Sequence, residues 1–230
     1  MELPAVTSTG TIRHAGPPLL LMAVSYAVLV AAGGATLKAA FAIPHSSAQQ
    51  ALTYVAQVKG RVDWGSFCEF GSALPLAVFV ATAVSRLRFL GVRAAGEVIA
   101  LSGGIAAVGM LLLAAGSTWS LTRPGLAGAD GAVRALQAIS FACGGPGFVA
   151  PLGLFVAGVS VTAGLHRLLP QWVMIFGLVV AAGCELASLT LVFWDAAWFI
   201  PFGRFLSIVW MIAVAVKLPS RLTEPRAAAL

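Results

Sequence analysis

Charge is scarce in this chain: 8 Asp and Glu and 14 Lys and Arg in 230 residues, or 10% charged. A water-soluble domain carries about 25%. With 60% hydrophobic residues, there is too little polar surface to cover a soluble core, whereas lipid accepts an apolar exterior. Histidine is scarcer still. His14, His45 and His166 fall in loops or at interfaces, which argues against a haem held by two buried histidines. Cys68, Cys143 and Cys184 are an odd set without C-x-x-C spacing. They argue against a disulfide framework and a zinc site and read as small buried hydrophobes. The basic residues form no cluster with interleaved aromatics, which argues against nucleic acid. There is no phosphate loop, G-x-S-x-G, H-E-x-x-H or D-D-x-x-D run, and no Arg-rich voltage-sensor helix. Neither a metal nor a cofactor is expected.

What is present is apolar length. Six stretches, about 17–43, 66–85, 97–118, 135–165, 171–193 and 199–218, each approach the roughly 20 residues that span a bilayer. They predict an all-α polytopic membrane bundle of six transmembrane helices in one domain over 1–230. The first stretch follows Arg13 and His14 and contains Ala40-Phe41-Ala42, the form of a cleavage site. Its apolar run exceeds a signal-peptide core, so a retained helix is expected. In the fourth, CGGPGFVAP at 143–151 should kink or break the helix, because Pro146 and Pro151 lack the N–H that a helix interior needs.

Six spans put both termini on one side. That side collects Arg13, Arg86, Arg88, Arg93, Arg167, Lys217, Arg221 and Arg226, against Lys59, Arg61, Arg123 and Arg134 on the other. The positive-inside rule then makes the termini cytoplasmic. Trp64, Trp119, Trp194 and Trp198 form an outer aromatic belt, and Trp172 sits at the inner interface. In the outer connection 44–65, Ala48, Ala51, Leu52, Val55 and Val58 recur at helical spacing after Ser46 and Ser47, which predicts a capped amphipathic surface helix. Arg134, Gln137 and Ser140 make a polar stripe, either on a surface turn or on the outer end of the fourth helix. Gly33-Gly34, Gly103-Gly104, Gly177-x-x-x-Ala181 and Gly183-x-x-x-Ala187 offer small faces for close helix packing.

Against this apolar background, FCEFGS at 67–72 and GCELAS at 183–188 place Glu69 and Glu185 inside oily segments. At about 1.5 Å per residue, Glu69, Glu185, Arg204 and Lys38 fall at one level in the outer half of the membrane. Two acids and two bases sum to zero, so pairing is expected. A buried charge costs several kcal/mol unless paired. One reading is an ion-pair lock with Lys38 snorkelling outward. The other is a polar cavity that binds a small apolar or cationic ligand, walled by Trp64, Phe67, Phe70, Trp194 and Trp198. Glu97 should pair with Arg93 four residues earlier at a helix start.

Two resemblances add to this reading. The segment from Gly153 to Leu218 contains LGLFVAGVSVTAGLHRLLPQWVMIFGLVVAAG and GRFLSIVWMIAVAVKL. It resembles a domain-of-unknown-function family of small six-span bacterial membrane proteins. Those carry a basic residue after the loop proline, where this chain has Gln171. The resemblance implies a six-span bundle in a bacterial inner membrane and no established activity. Trp64-x-x-Phe67-Cys68-Glu69-Phe70 and Trp194-Asp195 resemble small membrane-bound isoprenoid cyclases. That likeness implies an intramembrane acid, Glu69 or Asp195, with Glu185 as a further candidate. Three functions therefore stand: a small-molecule binding or transport protein, an intramembrane acid–base enzyme on an apolar substrate, and an accessory subunit that docks as an oligomer or in a larger membrane complex.

Overall fold

A computed structural model describes residues 12–37 and 47–222. Eight α-helices account for most of them: α1 Leu19–Leu37, α2 Ala48–Gln57, α3 Lys59–Phe89, α4 Ala95–Ser120, α5 Asp130–Gly144, α6 Pro146–Leu165, α7 Gln171–Leu186 and α8 Phe199–Lys217. Short 3-10 segments, Ala187–Leu191 and Trp194–Trp198, link α7 to α8. Five segments are long and apolar enough to cross a membrane: Lys59–Phe89, Ala95–Ser120, Asp130–Leu165, Gln171–Leu191 and Trp194–Lys217. The apolar part of α1, Leu19–Gly34, is shorter. Residues 38–43, expected in the first span, lie outside the described residues.

The predicted break is there. α5 stops at Gly144 and α6 starts at Pro146, with Gly145 between them at φ −94° and ψ −110°, outside helical values. Gly144, Gly145 and Pro146 are all buried. Irregular backbone at membrane depth is tolerated where protein covers it. Pro146 takes the first helical position, where its missing N–H costs nothing. The Arg134–Ser140 stripe belongs to α5. Its Gln137 is buried and its Ser140 hydroxyl meets that of Thr118 at 2.6 Å.

The surface helix is also present. Ser47 caps α2, accepting from the Gln50 N–H, while the Gln50 side chain accepts from the Ser47 N–H. Ala48, Ala51 and Val55 pack on Leu121 and Val133. α2 runs directly into α3 through Val58, so α3 begins at Lys59 rather than near Ser66.

α6 is the centre of the bundle, with α4 on one side and α7 and α8 on another. An edge-to-face aromatic chain crosses it, Phe79 on α3 to Phe155 on α6 to Trp210 on α8, at centroid distances of 6.1 and 5.8 Å. Glycines set the closest approach. A Cβ on Gly103 of α4 would lie 2.6 Å from the Pro151 carbonyl oxygen of α6. Large apolar side chains such as Val28, Leu74, Ile105, Leu113, Val179 and Phe205 point outward all round the bundle. That exterior suits lipid and would be an aggregation hazard in water.

At the end that carries residues 12–18 and 218–222, the proximal end, two short strands pair antiparallel: β1 Ile12–Arg13 with β2 Arg221–Leu222. His14 donates its backbone N–H to the Ser220 carbonyl at 2.9 Å. Its Nδ1 accepts from the Gly16 N–H at 3.1 Å, and its Nε2 lies 3.1 Å from the Ser85 hydroxyl. The accepting Nδ1 requires a neutral ring at that position. Burial, and then the nearby Arg86 charge, hold the His14 pKa below the ordinary 6.5, in the same sense.

The glycine contact gives a direct test. Gly103→Ala should cost about 1–3 kcal/mol by overpacking the α4–α6 seam. Gly109→Ala, on the same helix with open space around it, should be neutral or stabilising by up to about 1 kcal/mol. Thermal melts of the two purified variants check the contrast.

Candidate functional site

Helical periodicity decides which charges face inward. On α3, Val62, Ser66, Ala73, Leu76, Val80, Ala83 and Leu87 are buried and recur at three- and four-residue steps. Glu69 falls on that stripe. On α8, Ile200, Ser207, Met211 and Val214 form the matching stripe, and Arg204 falls on it. The two side chains meet: Arg204 Nη2 donates to Glu69 Oε1 at 3.3 Å. They are largely buried, with side-chain exposures of 14% for Glu69 and 13% for Arg204.

The pair sits at the helix break. A Cβ on Gly144, the last residue of α5, would lie 3.8 Å from Glu69 Oε1. Phe148, in the first turn of α6, presents its ring 4.9 Å from the Arg204 guanidinium carbon. A cation over an aromatic face contributes about 0.5–2 kcal/mol, more where water is excluded. One residue that the sequence reading missed completes the surroundings. Tyr26 of α1 is fully buried and lies within electrostatic reach of Arg204, Glu69 and Cys184. Its hydroxyl has no hydrogen-bond partner among the described residues, and neither does Arg204 Nε. The available signal for Tyr26 was a phenol inside an otherwise apolar run, LLLMAVSYAVLV.

Glu185 does not join them. The inward stripe of α7 is Val173, Gly177, Val180 and Cys184. Glu185 follows Cys184 by one residue, a turn of about 100°, and lies exposed. Its carboxylate rests beside Gly153 of α6, 3.1 Å from where a Cβ would be. Of the expected four-charge cluster, the described residues bring together Glu69 and Arg204 and leave Glu185 apart, and Lys38 lies outside the described residues. The expected aromatic wall is also absent. Trp64 and Phe67 pack against one another with tilted rings at 5.5 Å, with Trp64 53% exposed, and Phe70 and Trp198 point outward too. Trp194 stacks on Phe141 of α5 at 5.2 Å, one turn from the break. Asp195 is exposed on its 3-10 turn.

Glu97 pairs with Arg88 at 3.0 Å, not with Arg93. Arg93 lies in the turn before α4 rather than on it, so no helical i, i+4 relation exists. At the distal end, Arg123 and Thr122 both donate to Asp63, and Arg123 lies over Trp119 at 4.2 Å, tying α3 to the end of α4.

Fold and composition together define a multi-pass integral membrane protein built as a helical bundle. Comparison of the chain with protein-family models, with curated proteins and with solved structures finds no match in any of the three.

Removing one partner of a buried pair strands the other charge. Arg204→Gln should therefore destabilise by ~3 kcal/mol or more. Glu185→Gln should stay within about 0.5 kcal/mol of wild type. Thermal or denaturant unfolding of the purified variants separates the two.

Proposed function

We propose that this is a six-span membrane protein that binds a small molecule at the Glu69–Arg204 pair, in the outer half of the bundle. The observation that carries the reading is the position of the pair. It lies against the break between α5 and α6, under the first turn of α6. Discontinuous helices at membrane depth put half-helix termini beside a polar ligand, and ionisable groups there mark ligand pathways. Two buried donors, Arg204 Nε and the Tyr26 hydroxyl, have no partner among the described residues. A ligand with an acceptor oxygen, a carbonyl or carboxylate, would satisfy them, while Glu69 would hold a cationic end.

Residues 12–13 and 221–222 pair at the proximal end, where most of the described Lys and Arg residues also gather. That bias supports cytoplasmic termini. The likeness of Gly153–Leu218 to the small six-span bacterial family supports a bacterial inner membrane. α1, with 19 helical residues, would supply the sixth span.

Tyr26→Phe is the cleanest probe, since it removes one unpartnered hydroxyl. Basal stability should hold or rise. A panel of zwitterionic and amphipathic carbonyl compounds should contain a member that raises the wild-type melting temperature. Tyr26→Phe should weaken that member's affinity by about 0.5–1.5 kcal/mol, up to roughly tenfold. A panel with no effect on wild type, or an effect that Tyr26→Phe and Arg204→Lys leave intact, contradicts the reading.

A further inference from the structure

At the proximal end the charge balance fails. Arg86, one turn before the end of α3, is 7% exposed. Its Nη1 donates to the Leu218 carbonyl at the end of α8, a long bond of 3.4 Å. Its buried Nε has no partner among the described residues. Guanidinium stays protonated in proteins, so this is a buried positive charge.

No carboxylate among the described residues comes within ion-pair distance of it. The described acids are Asp63, Glu69, Glu97, Asp130, Glu185 and Asp195. Only Glu97 lies at this end, and Arg88 holds it. The other charges nearby are of like sign. Arg13 is close enough for its charge to act on Arg86. It stands on β1 opposite Arg221 of β2, and Lys217 closes α8. The terminal clasp holds this arrangement in place, with His14 seated on Ser85 and edge-on to Phe89 at 5.4 Å.

A buried, unpaired cation costs several kcal/mol. A second arginine beside it raises that cost, and a bound anion would offset it. Neighbouring helix ends with basic residues at the level of lipid headgroups form pockets for phosphate groups. Arg presents several N–H donors to such an anion.

We propose that Arg86 and Arg13 form a binding site for a negatively charged phosphate group, supplied by an anionic phospholipid headgroup or by free phosphate. The site lies at the opposite end of the bundle from Glu69–Arg204 and does not depend on that pair's role. Arg86 supplies the buried donor and Arg13 the exposed one at the rim. The strand pair holds Arg13 in place, so phosphate binding also stabilises the β1–β2 pairing.

The test uses the full chain in nanodiscs of phosphatidylcholine, alone or mixed with phosphatidylglycerol. A second arm uses detergent micelles with inorganic phosphate against chloride at equal ionic strength. Wild type should melt several degrees higher with phosphatidylglycerol or with phosphate. A rise with phosphatidylglycerol alone identifies the lipid as the source, and a rise in micelles identifies free phosphate. Arg86→Gln should remove the rise. Arg13→Gln, which changes an exposed residue and keeps the fold, should remove at least about half of it, as expected when a ligand loses one of two anchors. Arg93→Gln, a basic residue exposed at the same end, should keep it. A rise of wild-type size in Arg13→Gln overturns the assignment. So does the absence of any rise in wild type.

Discussion

One constraint organises the bundle: a carboxylate and a guanidinium must stay together where water is scarce. Glu69 and Arg204 satisfy it across two helices that barely touch each other elsewhere, α3 and α8. The helix break lies beside the pair. Gly144 borders Glu69 Oε1, the chain breaks at Gly145, and α6 starts next to Arg204. Phe148 then faces the cation. The break leaves backbone groups that need cover, and the burial of residues 144–146 supplies it.

The pair does not explain itself by stability. A buried ion pair is often no more stable than apolar residues of similar volume, because desolvation offsets attraction. Here the geometry is also incomplete: one hydrogen bond of 3.3 Å, with Arg204 Nε left over. A lock built for strength would present a bidentate fork. The unpartnered Tyr26 hydroxyl beside it adds to the unused capacity. Strength in this fold comes from elsewhere, from the glycine-mediated approach of α4 to α6 and the Phe79–Phe155–Trp210 chain.

Much of this was legible in the sequence. Apolar length located the helices, two prolines and three glycines located the break, and the helical spacing of Ala48, Ala51, Leu52, Val55 and Val58 after Ser46 and Ser47 located the surface helix. Depth along a helix is a matter of counting, so Glu69 and Arg204 could be set at one level before any contact was known. Direction around the axis is harder to read, because it depends on what packs alongside. Glu185 shares the level but belongs to the outer face, as the Val173–Gly177–Val180–Cys184 stripe indicates once α6 and α8 are known to flank it. Trp64 and Phe67 look like pocket walls in sequence, yet face outward, since α3 starts at Lys59 and its inward stripe passes through Val62 and Ser66. Glu97 took Arg88 over Arg93 because the turn before α4 brings the end of α3 back to it. Contacts of that kind have no local signature.

The most direct measurement is the thermal unfolding of the double variant Glu69→Leu/Arg204→Met beside wild type. If the pair is kept for binding, the apolar replacement should melt at or above the wild-type temperature, since two desolvated charges give way to packing of similar volume. A double variant that melts far below wild type, as low as Arg204→Gln alone, would contradict the account and make the pair a structural lock.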